Sequence, residues 1–450
     1  MKYDFDKETE NRKHMERRLI AFILVLATAA LNRLSAQDNP QSLSLSVDKA
    51  VEYALDHNRS VAAARYEMLA SEKGVWEAIA AGLPSLDGSI SMTNNLIIPV
   101  MVFNGMSFKV GTDYEYSNGV SATTTVFNAP YLVGIQTAKL ARSMTQKGVI
   151  QTEEDTGESV MTTYYLILVS HMTLEVLDKN IANLEEILAS TKAMFSVGMA
   201  EATDVDQMQS SLTTLRNTRS SMERALEVNY NMLRFLLGLG SESQIELSDS
   251  LESILTKVQV ESLLEDSFNL QENVNYQMVE DQVKLSELSL KGAKASVLPS
   301  LGAAWSYSRA GRGDAIEDLA FANGSYIALQ LRVPIFASGL RHTRIQKAKI
   351  DLDKAVNTRM MVSDQLLIQE KQLRYNLISA NEQYKSQRAN IEIAGRIMKS
   401  FENKYNQGMA SSLDLTQANN NYLTAQNNYI QALMSLLQTK VAFDKLMNKL

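Results

Sequence analysis

The chain repeats itself, in register, across most of its 450 residues. Leu83-Pro84-Ser85-Leu86 returns as Leu298-Pro299-Ser300-Leu301 at an offset of 215. Ile135-Gln136-Thr137-Ala138-Lys139-Leu140 returns as Ile345-Gln346-Lys347-Ala348-Lys349-Ile350 at an offset of 210. The second offset persists, so Gly198-Met199-Ala200 and Asp204 recur as Gly408-Met409-Ala410 and Asp414. One register kept across two helices and their turn marks a duplicated unit of roughly 200 residues, and doubling of that kind suits a symmetric assembly.

That repeat outranks the several compact domains that the length alone would suggest. Hydrophobic residues make up 45% of the chain at a mean hydropathy of -0.16, which fits neither a polytopic helical membrane protein nor a disordered chain. Only 6 prolines occur, as long helices require. With 0 cysteines there is no disulfide framework, thiol nucleophile or thiolate metal site. A net charge of -7 argues against nucleic acid as a partner.

Arg17-Arg18 precede an apolar run over residues 19–31, and Ser35-Ala36-Gln37 supplies small residues for cleavage. Residues 1–36 therefore read as a secretory signal peptide, with Met15 as an alternative start. The run is shorter than the roughly 20 residues that span a bilayer. No later segment is expected to form a membrane-spanning helix, so the exported chain stays periplasmic, leaves the cell, or enters an outer membrane as strands.

Within each half the period changes twice. Residues 47–80 read as one helix that Pro84 closes, because a proline pushes its predecessor out of helical geometry. A period of 2 follows. Leu86, Gly88, Ile90 and Met92 share one face, and Val120, Ala122, Thr124 and Val126 share another. In the second half Leu301, Ala303, Trp305 and Tyr307 align, as do Ile327, Leu329, Leu331, Val333 and Ile335 after a loop at 309–324. Each half thus contributes one β-hairpin. Long helices come next, with seams by threes and fours such as Leu174, Leu177, Ile181, Leu184 and Leu188, the pattern of supercoiled packing.

The predicted division is a first repeat over 37–240 (hairpin 84–128, long helices 135–198 and 204–237), a linker at 241–260, and a second repeat over 261–450. The second repeat holds hairpin 299–336 and long helices 345–407 and 414–447. The strands of two hairpins cannot close a barrel, and an open sheet edge in lipid leaves backbone groups unsatisfied at several kcal/mol each. The hairpins must pair between chains, and coiled coils continuous with them extend that barrel by roughly 100 Å. Such a tube is a conduit, not an enzyme.

The chain resembles the TolC-like outer membrane efflux channels. The matching residues are the paired Leu-Pro-Ser-Leu starts, Val333-Pro334-Ile335-Phe336, and the turns Gly198-Met199-Ala200-Glu201-Ala202-Thr203-Asp204 and Gly408-Met409-Ala410-Ser411-Ser412-Leu413-Asp414. The resemblance implies a mainly α fold with β: a duplicated α-β-β-α-α repeat, a trimer-shared, twelve-stranded barrel in outer-membrane lipid, and a helical tunnel in the periplasm. It implies an equatorial region built from the 240–260 linker and the carboxyl terminus. Its partners would be a periplasmic adaptor and a proton-driven inner-membrane pump, with no cofactor and no metal.

Carried over by position, Thr203, Asp204, Tyr405 and Asp414 fall at the periplasmic gate, with Asp204 as acceptor for the Tyr405 hydroxyl. The tips Gly198, Met199, Gly408 and Met409 fall where adaptors touch. Where the family pattern can carry an arginine and a second aspartate, this chain has Ala410 and Gln417, so an entrance ring would hold three carboxylates per trimer from Asp414. His57, His171 and His342 lack metal-ligand spacing. Two other readings stay open: the exit channel of a type I secretion system, and a secreted coiled-coil structural protein.

Overall fold

The computed structural model describes residues 43–257 and 260–449. The predicted signal peptide lies outside the described residues. In chain order the elements are β1 (Leu43–Leu45), α1 (Val47–His57), α2 (Arg59–Ala80), β2 (Ser85–Asn94), β3 (Val100–Phe103), β4 (Met106–Lys109), β5 (Tyr114–Phe127), α3 (Ala129–Ser196), α4 (Ala202–Leu236) and β6 (Ile245–Leu247). There follow α5 (Leu251–Lys257), α6 (Val260–Glu265), α7 (Val274–Ala295), β7 (Ser300–Gly313), β8 (Ala320–Arg332), α8 (Leu340–Asn406) and α9 (Ser412–Leu446). The duplication is visible in element lengths: α2 and α7 each have 22 residues, α3 has 68 against 67 for α8, and α4 and α9 have 35 each. At 1.5 Å per residue α3 and α8 reach about 100 Å.

The helix expected over 47–80 is two helices. Asn58 sits in extended backbone between them, where its carboxamide oxygen accepts from Ser60 N–H and Val61 N–H at 2.7 and 3.3 Å. Its amide nitrogen donates to Leu236 O at 2.7 Å, so one buried side chain caps α2 and ties it to the end of α4. Asn273 caps α7 in the same way, from the matching place in the repeat. The long helices also begin earlier than expected. Asn128 caps α3 just before Pro130, which is tolerated in a first helical turn.

Four strands form an antiparallel sheet in the order β2-β5-β7-β8. Rows near the helices keep one chemistry each, whereas farther out Ile90 shares its row with Asn118, Arg309 and Asn323. Leu86 pairs with Ala122, Ala122 with Trp305 and Trp305 with Ile327, while the next row runs Asp87, Ser121, Ser306 and Tyr326. One face is therefore mostly apolar and the other largely hydroxylic, and Ile90, Ile327, Leu329 and Leu331 are well exposed. The expected loop at 309–324 is shorter, because β7 runs to Gly313 and β8 starts at Ala320. Arg309 lies in a strand with its guanidinium 4.5 Å from the Phe321 ring, a cation–π contact that holds the strands together. The first hairpin carries an unexpected addition, the two-stranded ribbon β3–β4 beyond the ends of β2 and β5.

The helices form a slab below the sheet. Near the sheet the neighbours run α2, α3, α7, α8, and farther away α4, α3, α9, α8. Lys147 on α3 bridges to Asp281 on α7 at 2.5 Å, and Lys284 reaches the same carboxylate at 2.9 Å. Burial alone would raise the Asp281 carboxyl, but the two lysines outweigh it and hold it below its ordinary value. The linker is structured: β6 pairs in parallel with β1, and Val260 on α6 packs with Leu377, Leu436 and Phe443 near the carboxyl terminus. One described helix, α3, carries an 18-residue stretch apolar enough to cross a membrane, contrary to expectation. Half of that stretch is buried inside the protein, and α3 contributes Val160, Tyr164 and Ile167 to a core shared with Leu233, Ile245 and Leu433.

Candidate functional site

The far ends of the coils carry the residues singled out as gate and tip. Helix α3 ends with Gly198 N–H donating to Phe195 O at 3.0 Å and Met199 N–H to Met194 O at 2.8 Å. Helix α8 ends identically, Gly408 N–H on Tyr405 O at 2.9 Å and Met409 N–H on Lys404 O at 2.8 Å. The pattern demands a left-handed residue, and the φ angles of +78° at Gly198 and +72° at Gly408 explain the glycines. Met199 and Met409 follow at 77% and 67% exposure, so each turn presents a thioether to solvent.

The next helix of each pair opens on a carboxylate at its third position. Asp204 Oδ2 accepts from Glu201 N–H at 3.0 Å, and Asp414 Oδ2 accepts from Ser411 N–H at 3.1 Å. Both satisfy an orphan donor and face the positive end of a helix dipole. The Ser411 hydroxyl, 2.7 Å from Asp414 Oδ2, and the Ser411 N–H hold the Asp414 carboxyl below its ordinary value. Thr203 donates to Glu201 Oε2 at 3.2 Å and stays on its own turn.

The expected bond between Asp204 and Tyr405 is not formed within the chain. Tyr405 is buried, 2.9 Å from Thr191 Oγ1, and the one Thr191 proton goes to Ile187 O at 2.9 Å, which makes the tyrosine the donor. Asp204 Oδ1 instead accepts from the Ser412 hydroxyl, which joins the two turns directly. The geometry has a simple cause. Tyr405 points into a core built by all four helices, among Leu188, Met208, Met398 and Leu415, whereas Asp204 lies on the first exposed turn of α4. A third tie, Asn180 Nδ2 to Gln426 Oε1 at 2.7 Å, crosses the same pair of coils higher up. Thr191 and Ser412 escape a sequence reading because their repeat counterparts are Phe401 and Ala202, so duplication does not mark them.

A four-stranded sheet, apolar on one side and hydroxylic on the other, continuous with coiled coils about 100 Å long, defines a channel-forming protein of the outer-membrane class. The outer membrane efflux protein family matches residues 50–239 and 262–449, and the chain belongs to that family. Its place is the outer membrane, with the helices extending into the periplasm.

Similarity to the toluene efflux pump outer membrane protein TtgC of Pseudomonas putida is 25% identity over 296 residues, covering 63% of this chain and 58% of that protein. The antibiotic efflux pump outer membrane protein ArpC of Pseudomonas putida is 24% identical over the same extent, so the chain spans 58% of the length of both curated relatives. Among solved structures, CusC matches at a TM-score of 0.74 and 15% identity, covering 92% of this chain and 95% of that one. VceC of Vibrio cholerae matches at 0.71 and 13% identity, over 89% and 95% respectively.

Proposed function

We propose that three copies of this chain close into one tube that carries small molecules from an inner-membrane pump and a periplasmic adaptor to the outside. The supporting observation is that every layer of the chain is left open on the same two sides. The sheet ends at β2 and β8, the upper helices at α2 and α8, and the lower ones at α4 and α8. Helix α2 leads into β2, and β8 leads into α8. Large apolar residues stand exposed on both sides: Tyr66 and Trp76 on α2, Phe235 on α4, and Ile350, Ile368 and Tyr375 on α8. Side α2/β2/α4 of one copy therefore meets side β8/α8 of the next. A head-to-tail contact of that kind closes into a ring, and only closure removes the sheet edges from lipid.

In the closed tube the row through Leu86, Trp305 and Ile327 meets lipid, and the hydroxylic rows line the lumen. Asp204 and Tyr405 restrain the periplasmic end with Thr203 beside them on its own turn, Asp414 contributes a ring of three carboxylates to the entrance, and the turns at Gly198, Met199, Gly408 and Met409 meet the adaptor. The names of the relatives, toluene and antibiotic efflux, support small and partly apolar cargo and an inner-membrane pump. A conduit of this kind performs no catalysis. Purified protein should give discrete single-channel currents in planar bilayers. Protein that keeps its helix content in detergent but never conducts would contradict the reading.

A further inference from the structure

The ribbon β3–β4 pairs with no strand of the four-stranded sheet. It stands past the outer ends of β2 and β5, and every one of its strand residues is exposed. Val100 pairs with Lys109 and Met101 with Phe108, while Phe103 pairs with Met106. Paired residues share a face, so Met101, Phe103, Met106 and Phe108 form one wholly apolar side. A two-stranded hairpin alone is marginal in water, and this one closes on Asn104 at φ +50° and Gly105 at φ +80°, a turn that fixes its shape but covers nothing. The corresponding outer loop of the second repeat is short and acidic: Asp314, Glu317 and Asp318, flanked by the exposed side chains of Ile316 and Phe321.

The ribbon springs from β2, one free edge of the sheet, and the acidic loop precedes β8, the other free edge. Resting on the ring proposed above, closure sets β2 beside β8 of the next copy, roughly 5 Å away. The ribbon's lone charge, Lys109, then stands beside the acidic loop, and its apolar face beside Ile316 and Phe321. We infer that β3–β4 is a strap between copies, docked on the 314–321 segment of the neighbouring chain at the outer rim. Its apolar face buries against the next copy rather than in lipid, and Lys109 fixes the register.

The test uses the full-length chain, whose lack of cysteines makes introduced ones unambiguous. Phe103→Cys with Ile316→Cys, oxidised mildly in outer-membrane fractions, should give disulfide-linked dimers and trimers that either single variant lacks. Lys109→Glu should lower that yield, and adding Glu317→Lys should restore it, which a ribbon buried in lipid would not do. Native mass of the unsubstituted protein separates the two readings. A monomer would sink the ring and the strap together. A trimer without cross-linking in the double variant would overturn the strap alone. So would efficient linkage by Phe103→Cys alone, which would place the ribbons against one another over the mouth. Reaction of that cysteine with a lipid-soluble maleimide but not with a water-soluble one would place the ribbon in the outer leaflet and overturn it too.

Discussion

Asp281 shows how a single residue joins the two repeats. Lys147→Ala would leave the buried Asp281 carboxylate only the exposed Lys284, so it should destabilise, by less than the roughly 3–5 kcal/mol of a fully stranded buried charge. The pH dependence has a definite sign. The carboxyl is held below its ordinary value, so its contribution is complete above the ordinary aspartate range and is lost as pH falls through the lowered value. The gap in thermal midpoint between wild type and Asp281→Asn should therefore be wide at neutral pH and shrink in strong acid. A gap independent of pH would refute the assignment. Gly238 is a second such residue. With φ at +72°, a Cβ there would lie 2.3 Å from His57 O, in backbone that Asn58 holds in place. Gly238→Ala should destabilise by more than the roughly 0.4–1 kcal/mol that a glycine-to-alanine change gains at a compatible position, read as a lower thermal midpoint by circular dichroism. Neither contact is visible in the sequence. Asp281 and Lys147 lie far apart along the chain, and only the packing of α3 on α7 brings them together.

At the scale of elements, what a sequence shows depends on whether the signal is local. The period-2 rows and the seams of α3 and α8 are local, and they place strands and helices well. The break at Asn58 is only partly local: its side chain caps the next helix through Ser60 and Val61 N–H, but apolar spacing continues through it and the tie to Leu236 O comes from 178 residues away. The ribbon was legible, since Asn104-Gly105 between apolar stretches is the strongest short hairpin signal, but longer alternation on either side hides it. The tip was half legible. Gly198, Gly408, Asp204 and Asp414 stand out through the duplication, whereas the ties between coils join Asp204 to Ser412 and Tyr405 to Thr191, and the duplication marks neither Ser412 nor Thr191. The gate proposal inherits this geometry. A neutral hydrogen bond contributes about 0.5–1.5 kcal/mol and one to an ionised acceptor about 1.5–3 kcal/mol, so Asp204→Ala should loosen the tip more than Tyr405→Phe. Single-channel conductance should rise in that order while helix content holds. Asp414→Ala should mainly reduce cation preference, because its carboxylate caps a helix and reaches no other turn. Unchanged conductance and selectivity in all three would leave these as ordinary caps and core positions.

On the scale of the whole molecule, one chain is an incomplete object. Its sheet has two free edges, its helical slab has two free sides, and its apolar sheet face and its exposed aromatic side chains all await partners. The duplication explains why so few copies suffice. Each chain already brings two hairpins and two pairs of coils, so the proposed three chains would make a barrel of twelve strands, wide enough for a lumen. The repeat offsets make the doubling readable from the sequence, the count of three chains enters only through the family resemblance, and the coincidence of open sides in every layer is visible only in the fold. The most direct test is the native mass of the detergent-extracted protein. The account predicts a single species of three chains that resists dilution; a stable, folded monomer would contradict it.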